Sequence, residues 1–259
     1  MLIDAILLGA GDGNRCRHLP LATSPQTQIS PSLPKQFQLL GQYPVFVYSL
    51  IALKSIQNVR QVILVVAPDY SQLVLNMLDE VKHLAFPFAI KVLDGGATRF
   101  ESSKNAILYL NSEQEEPPIR VLIHDACRPY FSKDFIQRIQ NKLLDRSYGA
   151  WVPVIPESDT LKKVTPQHQV VETLDRDQIV RVQTPQIFEF QLIRSLMLKT
   201  QDNPKINFLD DASLCEYYGI PVGTFKGDFR NLKLTYSFEH SLLQTLIAQN
   251  GHESVLADT

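Results

Sequence analysis

Apolar and polar positions along the chain alternate between two textures. Short apolar runs at 3–8, 61–67, 90–93, 120–124 and 150–155 are rich in Val, Ile and Leu, with little strict alternation. Runs of this kind predict strands buried on both faces, as in a parallel sheet. Amphipathic stretches lie between them. One helix is predicted from Pro44, a residue suited to a first turn, through Val47, Leu50, Ile51 and Leu53. Others follow Asp69, Arg99 and Ser132, with Ser132 as the N-cap of KDFIQRIQNKLL. Strand–helix alternation predicts an α/β fold, a mostly parallel sheet with helices on both faces.

Two segments interrupt the pattern. Residues 16–34 carry four Pro among Ser, Thr and Gln, and read as a long exposed loop inserted after the first strand. Residues 156–182 hold the polar, β-prone pieces TLKKV and QVVETL around Pro166 and Gln167, and predict a protruding hairpin arm. Helices are expected again near 188–199 and 210–218, and short strands at 221–225 and 231–235. A closing helix at 237–249 has Phe238, Leu242 and Leu246 on one face. We read residues 1–251 as one domain carrying the arm, and 252–259 as a tail.

Composition narrows the class. The 259 residues include 25 Lys and Arg against 27 Asp and Glu, a net charge of −2, with 44% hydrophobic residues. That balance fits a folded soluble protein and argues against a general nucleic-acid binder, which carries a basic excess. No apolar run reaches the length of a membrane span, and the first residues read as a buried strand rather than a signal peptide. Three cysteines, Cys16, Cys127 and Cys215, form no C-x-x-C pair, which fits a reducing cytoplasm.

Candidate chemistry gathers in four clusters. The first strand runs into Gly9-Ala10-Gly11-Asp12-Gly13-Asn14-Arg15. Glycines let backbone N–H groups approach a phosphate, and Arg15 adds a guanidinium fork. The spacing is neither the dinucleotide fingerprint nor a P-loop. The second cluster is Pro34-Lys35-Gln36-Phe37, where the inserted loop rejoins the apolar chain. The third is His124-Asp125-Ala126-Cys127-Arg128-Pro129, at the end of a predicted parallel strand. Asp125 there suits either a Mg²⁺ ligand or the cap of a turn. His124 reads as a packed strand-end histidine and Cys127 as a small apolar residue. In the fourth, Arg230–Thr235, alternation leaves Lys233 either on an exposed strand face or turned toward an anion.

Together the pieces GAGDGNR, PKQF, DGGATRFESS, HDACRP, SDTLKK, TLDRDQI, QTPQIF, DDAS and NLKLT resemble, in order, the methylerythritol-phosphate cytidylyltransferases. The relatives that make CDP-ribitol share most of them. The resemblance implies a three-layer nucleotidyltransferase fold of modified Rossmann-like type and a homodimer that exchanges the arm. It also implies transfer of a cytidylyl group from CTP to a sugar-alcohol phosphate, releasing pyrophosphate, with Mg²⁺. By the same resemblance Gly11, Gly13, Arg15 and Lys35 surround the triphosphate, and Lys233 also faces phosphate. Gly9, Ala10, Gly96 and Ser102 lie by the cytosine, and Asp125 serves the metal and the ribose. Arg128, Thr184 and Gln186 fall in or near the acceptor pocket, and Thr160 and Arg176 reach the partner's site from the arm. Leu8, Ala97, Leu209 and Arg230 depart from the family pattern, and Leu209 bears on the identity of the alcohol.

Overall fold

The computed structural model describes residues 1–11, 33–112, 116–200 and 208–249. Its strands are β1 (Ile3–Gly9), β2 (Leu39–Leu40), β3 (Tyr43–Pro44), β4 (Val59–Val66), β5 (Ala89–Asp94), β6 (Arg120–Asp125), β7 (Ala150–Pro156), β8 (Lys162–Val164), β9 (Val170–Thr173), β10 (Val180–Val182), β11 (Gln186–Glu189) and β12 (Val222–Lys226). Its helices are α1 (Val45–Lys54), α2 (Ser71–Glu80), α3 (Arg99–Ser112), α4 (Lys133–Leu144), α5 (Phe190–Lys199), α6 (Ala212–Tyr217) and α7 (Ser237–Gln249).

Eight strands form the central sheet. β1 sits between β4 and β6, parallel to both, and β5 extends the parallel set beyond β4. On the other side β11 runs antiparallel to both β6 and β7, and β10 continues along the same edge of β7. β12 takes the opposite edge of β7, in parallel. The sheet is therefore mostly parallel, broken by one antiparallel line.

Alternation along each strand feeds two cores. In β1, Ala5 and Leu7 enter one core with α1, α4 and α7, while Ile6 and Leu8 enter the other with α3, α5 and α6. This three-layer arrangement agrees with the predicted α/β class. β1 is buried at every position and β6 likewise. The run at 90–93 departs from the expectation. β5 has a neighbour on one edge only, and its residues alternate between exposed and half-buried. Helix α1 starts one residue later than predicted, because Pro44 keeps an extended backbone (ψ 150°) and precedes the first turn. Nine of its ten residues are buried, so this helix is covered all round rather than along one stripe. Ser132 caps α4 as expected, its hydroxyl accepting from the Phe135 N–H at 3.2 Å, an arrangement worth about 1 kcal/mol.

β8 and β9 pair antiparallel as a hairpin with all seven strand residues exposed. The turn between them places His168 at φ 62°. β10 already pairs with β7 in the main sheet.

One late expectation fails. Residues 231–235 form no strand. Asn231 is buried and donates its side-chain amide to the Thr184 carbonyl at 2.8 Å, and the Leu234 N–H meets the Cys127 carbonyl at 2.8 Å. The stretch is thus pinned at separate points and has no ladder. α7 lies at the expected 237–249, with His240 and Leu243 buried and Leu246 half-buried against the core, while Phe238 is 65% exposed and Leu242 is 45% exposed. The His240 ring meets the Leu39 carbonyl through Nε2 at 2.8 Å.

Candidate active site

The carboxyl ends of β1 and β6, the segment after β5 and the stretch before α7 meet around a cleft of about 410 Å³. Its lining includes Gly9, Ala10, Gly11, Lys35, Gly96, Ser102, Asp125 and Lys233, eight residues singled out from sequence. Such a position, outside the carboxyl ends of parallel strands, is where α/β sheets bind ligands. Gly13 and Arg15, with residues 16–32 of the inserted loop, lie outside the described residues.

Local chemistry fixes each wall. Thr98 and Glu101 form a capping box at the start of α3. The Thr98 N–H donates to the Glu101 carboxylate at 3.0 Å, and the Glu101 N–H donates to Thr98 Oγ1 at 3.1 Å. Ser102 Oγ accepts from the Gly96 N–H at 3.1 Å and donates to the Thr98 carbonyl at 2.9 Å. The glycine loop touches this wall at Gly95, where an added Cβ would lie 2.6 Å from the Ala10 Cβ and 2.8 Å from Ser102 Oγ. Only glycine lets the two loops meet so closely.

Asp125 ends β6, 6% exposed. Its Oδ2 accepts from Lys233 Nζ at 2.8 Å and from Arg128 Nε at 3.5 Å, and Arg99 Nε stands 3.7 Å from Oδ1. Burial pushes this carboxyl up, but the combined charge of Lys233, Arg99 and Arg128 overcomes it and holds the group well below the usual carboxylate range. Arg128 also donates to the Asn231 carbonyl at 2.8 Å, tying the two segments together. Arg99 makes a second ion pair with fully buried Asp211 at 2.7 Å. Burial opposes the Arg99 charge, but Asp211 and Asp125 outweigh it and raise the guanidinium above its ordinary value.

Beneath Asp125 lies a neutral relay of hydrogen bonds. Thr184 Oγ1 accepts the Asp125 N–H at 3.1 Å and meets His124 Nδ1 at 2.9 Å, and His124 Nε2 meets the Arg128 carbonyl at 3.0 Å. A carbonyl only accepts, so the imidazole carries its proton on Nε2, and Thr184 donates to Nδ1. Burial lowers the His124 pKa to about 4, the Arg128 carbonyl and Asp125 pulling the other way. Cys127 lines the cleft with its thiol pushed up, first by burial and then by Asp125.

The other predicted residues fall elsewhere. Thr184 is buried in the relay rather than in the lining. Gln186 is fully buried, donating to Asp210 at 2.6 Å and accepting the Ala212 N–H at 3.1 Å. Its side chain fastens β11 to α6. Thr160 and Arg176 are exposed on the arm, where Arg176 Nη1 donates to the Ser158 carbonyl at 3.1 Å. Sequence reasoning passed over Arg99, although it closes GGATR, and Gln36, although it stands inside PKQF.

The family model for 2-C-methyl-D-erythritol 4-phosphate cytidylyltransferase, IspD, matches residues 19–249. The chain belongs to this family. Among curated relatives, the bifunctional enzyme IspD/IspF of Bartonella bacilliformis is 33% identical over 237 residues, 91% of this chain and 54% of the relative. The same-named protein of Solidesulfovibrio magneticus is 34% identical over 240 residues, 91% of this chain and 55% of the relative. The chain spans about half the length of these curated relatives. Among solved structures, 4-diphosphocytidyl-2C-methyl-D-erythritol synthase from Anaerococcus prevotii superposes with a TM-score of 0.74 at 22% identity, covering 95% of this chain and 96% of that one. The 2-C-methyl-D-erythritol 4-phosphate cytidylyltransferase of Thermus thermophilus gives 0.69 at 23% identity, covering 96% and 100%. This IspD chain thus carries the family's fold, with β1 at the centre of its sheet although the family match begins beyond it.

Neutral His124 generates a pH prediction. Above its ordinary value of 6.5 neither the folded nor the unfolded imidazole binds a proton. Between 6.5 and about 4 only the unfolded chain binds one, so stability falls as pH drops through that window. Urea unfolding from pH 7 to 4 will show this slope, and His124→Gln will flatten it. An equal slope in both proteins would mean that the imidazole is protonated in the fold.

Proposed function

We propose that this IspD chain transfers the cytidylyl group of CTP to 2-C-methyl-D-erythritol 4-phosphate, releasing pyrophosphate. The observation that carries the reading is the cleft itself. A glycine loop, a helix start at α3 and the cations Lys35, Lys233 and Arg99 converge on it, a set suited to a triphosphate. The Lys35 ammonium has neither a carboxylate nor a hydrogen-bond partner among the described residues, so its charge is available to an incoming anion.

In the proposed reaction an oxygen of the acceptor phosphate bonds to the α-phosphorus of CTP. The bond from that phosphorus to the bridging oxygen breaks, and pyrophosphate leaves with the electron pair. A phosphate monoester has a second pKa near 6 and is largely dianionic at neutral pH, so no general base is needed. The protein's work is to hold two anions in line and offset their repulsion. Lys35 and Lys233, both in the cleft lining, supply charge, and Asp125 keeps Lys233 in place. The exposed arm residues Thr160 and Arg176 serve the acceptor phosphate of a partner subunit in a homodimer. The exposed Val164, Val170 and Val171 of the hairpin support such pairing, since a lone two-stranded ribbon is only marginally stable.

Mg²⁺ fits this site as a nucleotide-borne ion. Among the described residues no group of three or more His, Cys, Asp or Glu is placed to hold a metal. Asp125 offers Oδ1, which accepts no hydrogen bond, and Mg²⁺ is commonly held by one or two carboxylates with substrate phosphates and water. When bound, the ion would neutralise phosphate charge. No described helix is long and apolar enough to cross a membrane, and the unpaired cysteines Cys127 and Cys215 suit the cytoplasm.

Two experiments test the reading. Purified protein with CTP, Mg²⁺ and 2-C-methyl-D-erythritol 4-phosphate should form CDP-methylerythritol, with ribitol 5-phosphate a poorer acceptor. Lys35→Ala should fold normally yet turn over on the order of 100-fold or more slowly. Preference for ribitol 5-phosphate would move the protein to the other acceptor. Mixing Lys35→Ala with Arg176→Ala subunits should restore activity toward half of wild type per heterodimer, by site counting under two-fold symmetry. No recovery after proven exchange would place Arg176 outside the partner's site.

A further inference from the structure

We infer that Gln36 is a positioning residue for the nucleotide phosphates, its side-chain amide locking the glycine loop to the segment that carries Lys35. The inference rests on the cleft being the CTP site. Gln36 is 4% exposed, and its Nε2 donates to the Gly9 carbonyl at 2.6 Å and the Gly11 carbonyl at 2.8 Å. Both acceptors are carbonyl oxygens, so the group facing them is the NH₂ and not the amide oxygen.

Two consequences follow from peptide geometry. In a trans peptide the C=O and N–H point in opposite directions. Turning the Gly9 oxygen toward Gln36 therefore turns the Ala10 N–H away from it. Neither the Ala10 nor the Gly11 N–H donates to a described acceptor, and both residues line the cleft. Gln36 itself lines the cleft beside both residues, and an Ala10 N–H held in one direction and left without an acceptor is a donor for an anion. Without the clamp, the same carbonyls are free to rotate and present oxygen to the phosphates.

The second consequence concerns Lys35. It is the residue before Gln36 in a single 3-10 turn, and the next residue, Phe37, is buried against Phe46 and Tyr70. The Phe37 N–H closes the turn on the Pro34 carbonyl at 2.9 Å, and Gln38 Nε2 ties to the Leu33 carbonyl at 3.0 Å. The turn is thus rooted in the core. Through Gln36 that root reaches across 25 and 27 positions of sequence to the glycine loop. One amide sets the spacing between the N–H groups and the ammonium that would grip the same triphosphate.

The test compares wild type, Gln36→Met and Gln36→Glu. Met keeps the length and loses both donors, while Glu places a carboxylate against two carbonyl oxygens. Calorimetric binding of CTP and of pyrophosphate is measured without acceptor, alongside KM for each substrate and the melting temperature. The expected result is binding of both ligands weakened about tenfold in Gln36→Met and further in Gln36→Glu. KM for the alcohol phosphate should stay within about twofold, since a local clamp on the phosphate loop leaves the acceptor side untouched. Wild type that binds neither CTP nor pyrophosphate would overturn the reading of the cleft itself. Wild-type-like binding by folded Gln36→Met would overturn this inference alone. Parallel loss for both substrates together with a lowered melting temperature would also overturn it, making Gln36 merely structural. Should Gln36→Glu fail to fold, Gln36→Met decides.

Discussion

A carboxylate that is only 6% exposed stays ionised when cations surround it, and Asp125 has three. Lys233 arrives from the stretch before α7, Arg128 from the turn after β6 and Arg99 from the start of α3. Long, flexible side chains from three separate segments are thereby drawn to one point at the sheet's carboxyl edge. The cost of burying the charge is offset by these neighbours, of which Lys233 and Arg99 also line the cleft. Asp211 repeats the logic one layer back, where it holds Arg99 from behind. The result is a site whose positive groups are ordered before any anion enters, which is what the proposed transfer between two phosphates requires.

The neutral relay under Asp125 complements this charge cluster. Because His124 is kept uncharged, Thr184 has a fixed donor direction and the Asp125 peptide a fixed acceptor. The uncharged imidazole adds no further charge to the carboxylate's pairing with Lys233, Arg128 and Arg99.

Much of this was legible in the sequence. Unbroken Val, Ile and Leu runs marked the buried strands, and the glycine, PKQF and HDACRP clusters marked the ligand edge, because loop chemistry after a parallel strand is local. Failures came where tertiary contacts decide. The run at 90–93 has the composition of a central strand, but only sheet order makes it an edge. Lys233 sits in an apolar stretch that resembles a strand, while three distant hydrogen bonds, through Asn231, Arg128 and Leu234, replace a ladder. Gln186 was placed in or near the acceptor pocket by resemblance alone, and its hydrogen bonds to Asp210 and the Ala212 N–H are invisible from spacing. Gln36 and Arg99 were inside noticed motifs but act through partners far away in sequence.

A double-mutant cycle on the proposed cytidylyl transfer tests most directly the proposed role of Asp125 in holding Lys233. It uses Asp125→Asn, Lys233→Met and the combination, each checked for native folding. If the pair acts as one unit, the double variant will be no slower than the worse single variant within about threefold. If the two losses multiply, the carboxylate and the ammonium work independently, and Asp125 does not act through Lys233.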